Sequence, residues 1–161
     1  MKKMLLIFSL ALVSLVACKK DKPVVLSAFE KLSYADIKAS DMNNDLNTNE
    51  IYIKSANDQS NGTIGKIISY KTALGTLGKL LILDNGSNNP SHALIFDMIN
   101  YKPDGTVLLE MKNVKINLGY YCDLDLGVST LVFGQQSFIY AFDAGDYKLF
   151  PNGGQFHIYT N

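Results

Sequence analysis

Arginine and tryptophan are absent from the 161 residues, and only two cysteines occur. Each absence removes a class of chemistry. Without a guanidinium fork the chain has no bidentate clamp for phosphate or carboxylate, which weighs against phosphoryl transfer and base-specific DNA readout. Without an indole, any stacking of a sugar ring would rest on the nine tyrosines and eight phenylalanines. The formal charge is zero, so no electrostatic footprint for nucleic acid exists. A nucleophile elbow, a phosphate loop and a dinucleotide fingerprint are also missing, and the chain is not expected to be an enzyme. No segment is long and apolar enough to stay in a bilayer as a helix. The best run, residues 4–17, covers about 21 Å at about 1.5 Å per residue, against about 30 Å of hydrocarbon.

That run follows Lys2 and Lys3 and carries no charge, which is the order of a secretory signal. It closes on Leu15-Val16-Ala17-Cys18. These four residues resemble the lipobox of bacterial lipoproteins, in which a small residue precedes a cysteine that is acylated and becomes the first residue. The resemblance covers the N-terminus alone. It implies cleavage between Ala17 and Cys18, attachment of fatty chains such as palmitate at Cys18, and membrane association through them. It also implies residence at the outer membrane, periplasm-facing or surface-exposed, because the position after the cysteine is Lys19 and not the Asp that retains such proteins in the inner membrane. Two or three acyl chains anchor stably, at about 0.8 kcal/mol per buried methylene. Lys19 and Lys20 would add attraction to anionic headgroups of roughly 1 kcal/mol each.

Removing residues 1–17 leaves 144 residues carrying 13 lysines against 15 carboxylates. This length suits one domain. Residues 18–28, broken by Pro23, read as a flexible tether, and residues 29–161 as a single β-rich domain. With Cys18 acylated as the resemblance implies, Cys122 is the one unmodified cysteine and no internal disulfide is expected. Alternation groups it with Leu124 and Leu126, the setting of a small buried hydrophobe.

Residues 27–40 suit one short helix, with Ser27 as cap and Glu30 three residues on; a strand over residues 34–39 competes for the same stretch. Beyond the Asn/Asp-rich residues 41–50 the pattern is that of strands. They are expected at residues 51–54, 64–71, 79–84, 93–102, 106–112, 113–120, 129–133, 137–142, 148–150 and 155–160. Residues 80–83 are apolar on both faces, as in a central strand, and Pro103-Asp104-Gly105 marks the firmest hairpin. The last two strands read as a C-terminal hairpin around Asn152-Gly153-Gly154. The sum is an all-β fold, an antiparallel β-sandwich of about eight or nine strands, with a small β-barrel as the alternative.

Oxygen-bearing side chains crowd residues 41–50, and Asp41, Asn43 and Asp45 resemble the opening of an EF-hand calcium loop. The likeness fails at Leu46, where that family needs Gly, and at Tyr52, where it needs Glu; Glu50 comes two places early. Asp123 and Asp125 stand at strand spacing beside Tyr121, an arrangement that binds a cation or splits acid and base roles only when held in a cleft. His92 and His157 lack a ligand cluster at zinc spacing. Asp97, between Ile95 and Ile99 on one strand face, needs a hydrogen-bonding partner if that face is covered. No cofactor or metal follows from this pattern. The reading is a membrane-anchored, non-catalytic binding or interaction module for an envelope protein or a glycan. Calcium-assisted adhesion and barrel-type carriage of an apolar ligand are the alternatives.

Overall fold

The computed structural model describes residues 27–55, 63–86, 89–131, 134 and 136–159. The signal segment, Cys18 and the tether up to residue 26 lie outside them, as do the last residues expected in the strands at 129–133 and 155–160. Two helices come first, α1 (Ala28–Lys31) and α2 (Tyr34–Met42). Ten strands follow: β1 (Ile51–Ser55), β2 (Ile67–Lys71), β3 (Leu77–Asn85), β4 (Leu94–Tyr101), β5 (Val107–Ile116), β6 (Tyr121–Asp123), β7 (Val128–Thr130), β8 (Phe138–Asp143), β9 (Asp146–Pro151) and β10 (Gln155–Tyr159). They pair in two antiparallel sheets. One has the order β10-β2-β3-β4-β5 and the other β1-β9-β8-β6-β7. The sandwich is thus observed; the strands do not close into a barrel.

The space between the sheets is filled by inward side chains of alternate residues, among them Ile68, Leu80, Ile82, Phe96, Met98, Phe138 and Leu149, all fully buried. A second, smaller cluster lies on the outer face of the first sheet, where Ile37 and Leu46 pack on Leu77. This second layer explains why β3 is apolar on both sides, and it is built by the helices. Their number corrects the expectation of one. Leu32 takes an extended conformation that stops α1 after one turn, and a second capping box, Ser33 with Asp36, starts α2. The anticipated box of Ser27 and Glu30 starts α1. The competing strand at residues 34–39 is therefore helix.

The C-terminal hairpin is also corrected. β9 pairs with β8 and β1, and β10 with β2, so residues 152–154 carry the chain from one sheet to the other. The true hairpin joins β8 to β9 through Ala144 and Gly145, both at positive φ (50° and 94°), the two-residue geometry that matches strand twist. The hairpin expected at Pro103 is present. Gly105 sits at φ 86° and the amide of Lys102 donates to the Thr106 carbonyl at 2.8 Å. β5 runs unbroken through two expected strands because Asn113, at φ 55°, forms a bulge, and its amide donates to Asp97 Oδ1 at 2.8 Å. Lys112 also faces that carboxylate at 3.5 Å. Asp97 thereby has the partner its position demanded.

The sheets are tied by polar groups within the core. Tyr70 of β2 donates to Asn100 Oδ1 at 2.5 Å, and the Asn100 amide donates to the Leu124 carbonyl beyond β6 at 2.7 Å. Nearby, Thr72 Oγ1 donates to Asp125 Oδ1 at 2.9 Å. Tyr70 lies across Gly78, its neighbour on β3; a Cβ there would meet the Tyr70 Cζ at 2.4 Å. The first sheet also buries Lys79, which donates to the carbonyls of Phe29 and Leu32, the latter at 2.7 Å, with the Phe29 ring centroid 4.7 Å away. Burial lowers its pKa, so this lysine opposes folding below that pKa and the opposition is relieved as pH rises toward 10.5.

Two substitutions test this core. Asn100→Ala strands the Tyr70 hydroxyl and the Leu124 carbonyl without partners and should cost about 2–5 kcal/mol in urea unfolding. Gly78→Ala should cost about 1–3 kcal/mol by overpacking, because the ring it displaces is held by Asn100. A loss under about 0.5 kcal/mol for Asn100→Ala would show that the bridge contributes nothing net.

Candidate functional site

The sheet topology gathers the turns at residues 72–76, 102–106, 124–127 and 152–154 at one end of the sandwich, here the hairpin end. Those at residues 117–120 and 144–145 lie at the far end. At the hairpin end a groove of about 320 Å³ opens between α2 and the two hairpins of the first sheet, lined by Tyr34, Leu74, Leu77, Tyr101, Pro103 and Leu108. Tyr34 is fixed by its hydroxyl, which donates to the Pro103 carbonyl at 3.0 Å, and by its ring, 5.7 Å from that of Tyr101. Gly105 leaves room for that ring, since a Cβ would lie 2.9 Å from Tyr34 Cδ1. Leu74 (67% exposed) and Leu108 (53%) form the rim, and burial raises the pKa of the Tyr101 hydroxyl. The groove offers apolar area and ring faces, with Lys102 at its margin. Sequence patterning missed it because its residues come from three separated segments. The legible traces were Leu74 within a turn and three consecutive apolar residues, Val107, Leu108 and Leu109, in a strand whose alternation puts Val107 and Leu109 on one face and leaves Leu108 on the other.

The residues singled out earlier lie elsewhere and apart. Asp41 closes α2, and both its oxygens accept from the Lys71 ammonium, at 2.9 and 3.1 Å. That ammonium occupies the side from which a cation would approach. Asn43 is the C-cap of α2, and the amide of Asp45 donates to the Ser40 carbonyl. The rest of this loop is structural: Asn47 pairs through its backbone with Phe156 and protects the edge of β10, and Glu50 meets Lys148 at 3.3 Å. Lys148, nearly buried on the outer face of the second sheet, also binds Asp143 at 2.9 Å and lies 4.9 Å from the centre of the Tyr52 ring. The hydrogen bond to Asp143 holds its pKa above the ordinary lysine value.

Strand geometry ends at Asp123, so the expected pairing of Asp123 with Asp125 across one strand face does not form. Asp123 Oδ1 accepts from the amides of Asp125 and Leu126, an Asx turn, while Asp125 holds Thr72. The same turn points Leu126 outward, 63% exposed, and leaves only Leu124 buried with Cys122. His92, at φ 47°, places Nδ1 3.2 Å from the Gly86 carbonyl and 3.1 Å from the Tyr147 hydroxyl. His157 packs edge-on against Tyr159 on β10. Among the described residues no three His, Cys, Asp or Glu side chains stand together as a metal-binding group, and no helix is long and apolar enough to cross a membrane.

Comparison with known protein families, with characterised proteins and with solved structures finds no match to this chain. The geometry must therefore carry the functional reading. Its sharpest local consequence concerns Cys122, which is fully buried and whose thiol burial pushes well above the usual range. In the folded protein at neutral pH it should resist iodoacetamide, with labelling slowed by a factor of at least about 10³ relative to the protein in urea, as set by the opening equilibrium. Labelling at the unfolded rate under native conditions, read by intact mass, would contradict the packing described.

Proposed function

We propose that the protein is a lipid-anchored envelope lipoprotein whose β-sandwich serves as a non-catalytic binding module, with the groove at the hairpin end as its binding surface. The observation that carries this reading is the contiguous apolar rim of that groove. Soluble domains seldom expose large apolar patches, and those that do use them for binding. Tyr34 and Tyr101 supply broad faces at low entropic cost, and the Tyr34 hydroxyl is already engaged by Pro103. These features favour an apolar or amphipathic partner over a densely hydrogen-bonding one such as a glycan. Carriage of an apolar ligand inside the fold is disfavoured, because the core side chains occupy the space between the sheets.

A non-catalytic role is supported by the state of the reactive groups. The thiol of Cys122 is buried, Asp123 and Asp125 are engaged in turn and inter-sheet contacts, and the two histidines sit on separate parts of the fold. The anchor rests on the lipobox pattern ending at Cys18 and on Lys19 directly after it, which favours the outer membrane.

Two measurements test the two halves. The native N-terminal peptide should begin at an acylated Cys18, and Cys18→Ser should move the protein from the membrane to the soluble fraction; retention in the membrane would refute the anchor. The mature protein should brighten an environment-sensitive apolar dye, and Leu108→Asp should abolish that signal at unchanged melting temperature. An unaltered dye response would refute the groove as the binding surface.

A further inference from the structure

Five aliphatic side chains protrude at the hairpin end: Leu74, Val107, Leu108, Leu126 and Val128, each between 45% and 67% exposed. They arise from three chain segments on both sheets. The Thr72 to Asp125 hydrogen bond joins the turn that bears Leu74 to the turn that bears Leu126. Gly127 lies against Met111, midway along β5, and Val128 follows it opposite Asp123, the last residue of β6. The result is one apolar tip spanning both layers. Tyr34, Tyr101 and Lys102 stand around it, side chains with an apolar body and a polar end of the kind that settles at a headgroup layer. Carboxylates also stand at this end and are held by hydrogen bonds: Asp104 accepts from the hydroxyl and amide of Thr106, which hold its pKa below the usual carboxylate range, Asp123 accepts from the amides of Asp125 and Leu126, and Asp125 accepts from Thr72.

The length and charge of the chain ahead of the domain are compatible with a bilayer as the occupant. Eight residues lie between Cys18 and Ser27, a span of at most about 30 Å from one to the other when extended. Ser27 leads directly through α1 to Tyr34, which is itself bonded to the tip at Pro103. A fatty chain on Cys18 and the apolar tip are therefore within reach of one bilayer. The stretch between carries Lys19, Lys20 and Lys22 against the single Asp21, a balance that favours an anionic surface.

We infer that the hairpin end docks against the same bilayer that holds the acylated Cys18. Residues 72–76, 102–108 and 124–128 then lie at the interface, and the turns at residues 117–120 and 144–145 point away from it. This assigns the partner of the groove as the lipid surface, and it rests on the lipid-anchor reading above.

The test uses the mature acylated chain in vesicles of phosphatidylethanolamine and phosphatidylglycerol that contain lipids with quencher-bearing acyl chains. A fluorophore is attached through Leu126→Cys, or through Asn117→Cys at the far end as control; buried Cys122 stays unlabelled. Quenching is expected at position 126 and absent at position 117. Adding Leu74→Asp with Leu108→Asp should abolish quenching at 126 while the protein still floats with the vesicles. Equal quenching at both positions, or none at 126 in protein that floats, overturns the docking and leaves the anchor intact. Shielding of 126 that tracks protein density and not quencher content also overturns it, in favour of self-association. Failure of the acylated chain to float overturns anchor and docking together.

Discussion

The amide of Asn100 connects the two halves of this sandwich from within at the hairpin end, as the Tyr140 hydroxyl does toward the far end by donating to the Asn85 carbonyl at 2.9 Å. Asn100 accepts from Tyr70 on the neighbouring part of its own sheet and donates to the backbone of Leu124 in the other layer. A buried amide without partners would be a liability, and a buried phenol likewise; together they satisfy each other and fix how the layers sit. The arrangement needs Gly78, because only the absence of a side chain on β3 lets the Tyr70 ring lie flat across it. It also places the 72–76 and 124–127 turns side by side, where Thr72 and Asp125 complete the contact. The exposed tip is thus a consequence of a core interaction two residues deeper.

The two outer faces of the sandwich are treated differently, and the difference has a physical origin. The first sheet is covered by α1 and α2, whose packing buries Leu77 and Lys79. A lysine under a helix layer is tolerated because its ammonium meets the open carbonyls at the end of α1 and the face of Phe29. The second sheet has its own nearly buried cation, Lys148, held by Asp143 and Glu50 and roofed by Tyr52. In both cases burial of the charge is answered by several partners at once. Neither cation is free to serve a ligand.

Much of the fold was legible because period-two alternation and turn chemistry are local. The strand at residues 80–83, the hairpin at Pro103 and the box at Ser27 all follow from adjacent residues. The second capping box, Ser33 with Asp36, was written in the chain just as plainly. It was obscured by the apolar spacing that let one helix span both turns. The C-terminal error had another cause. Asn152-Gly153-Gly154 permits a sharp reversal, but whether the chain returns along the same sheet or crosses to the other is set by which edge remains open. Here β1 already occupies the free side of β9, while the edge of β2 is open to β10.

The sequence by itself determined the antiparallel β class of the fold and the lack of arginine and tryptophan for the chemistries that depend on them, while its N-terminal pattern supports the proposed lipid anchor. Those properties depend on composition and on neighbours within a few residues. Only the tertiary structure decided which polar groups pair across the core, which carboxylates are consumed by turns, and that Leu74, Leu108 and Leu126 share one end. The reason is that these contacts join residues separated by tens of positions, and their meeting depends on sheet order and on the side of each strand that faces inward. A pattern read along the chain carries neither.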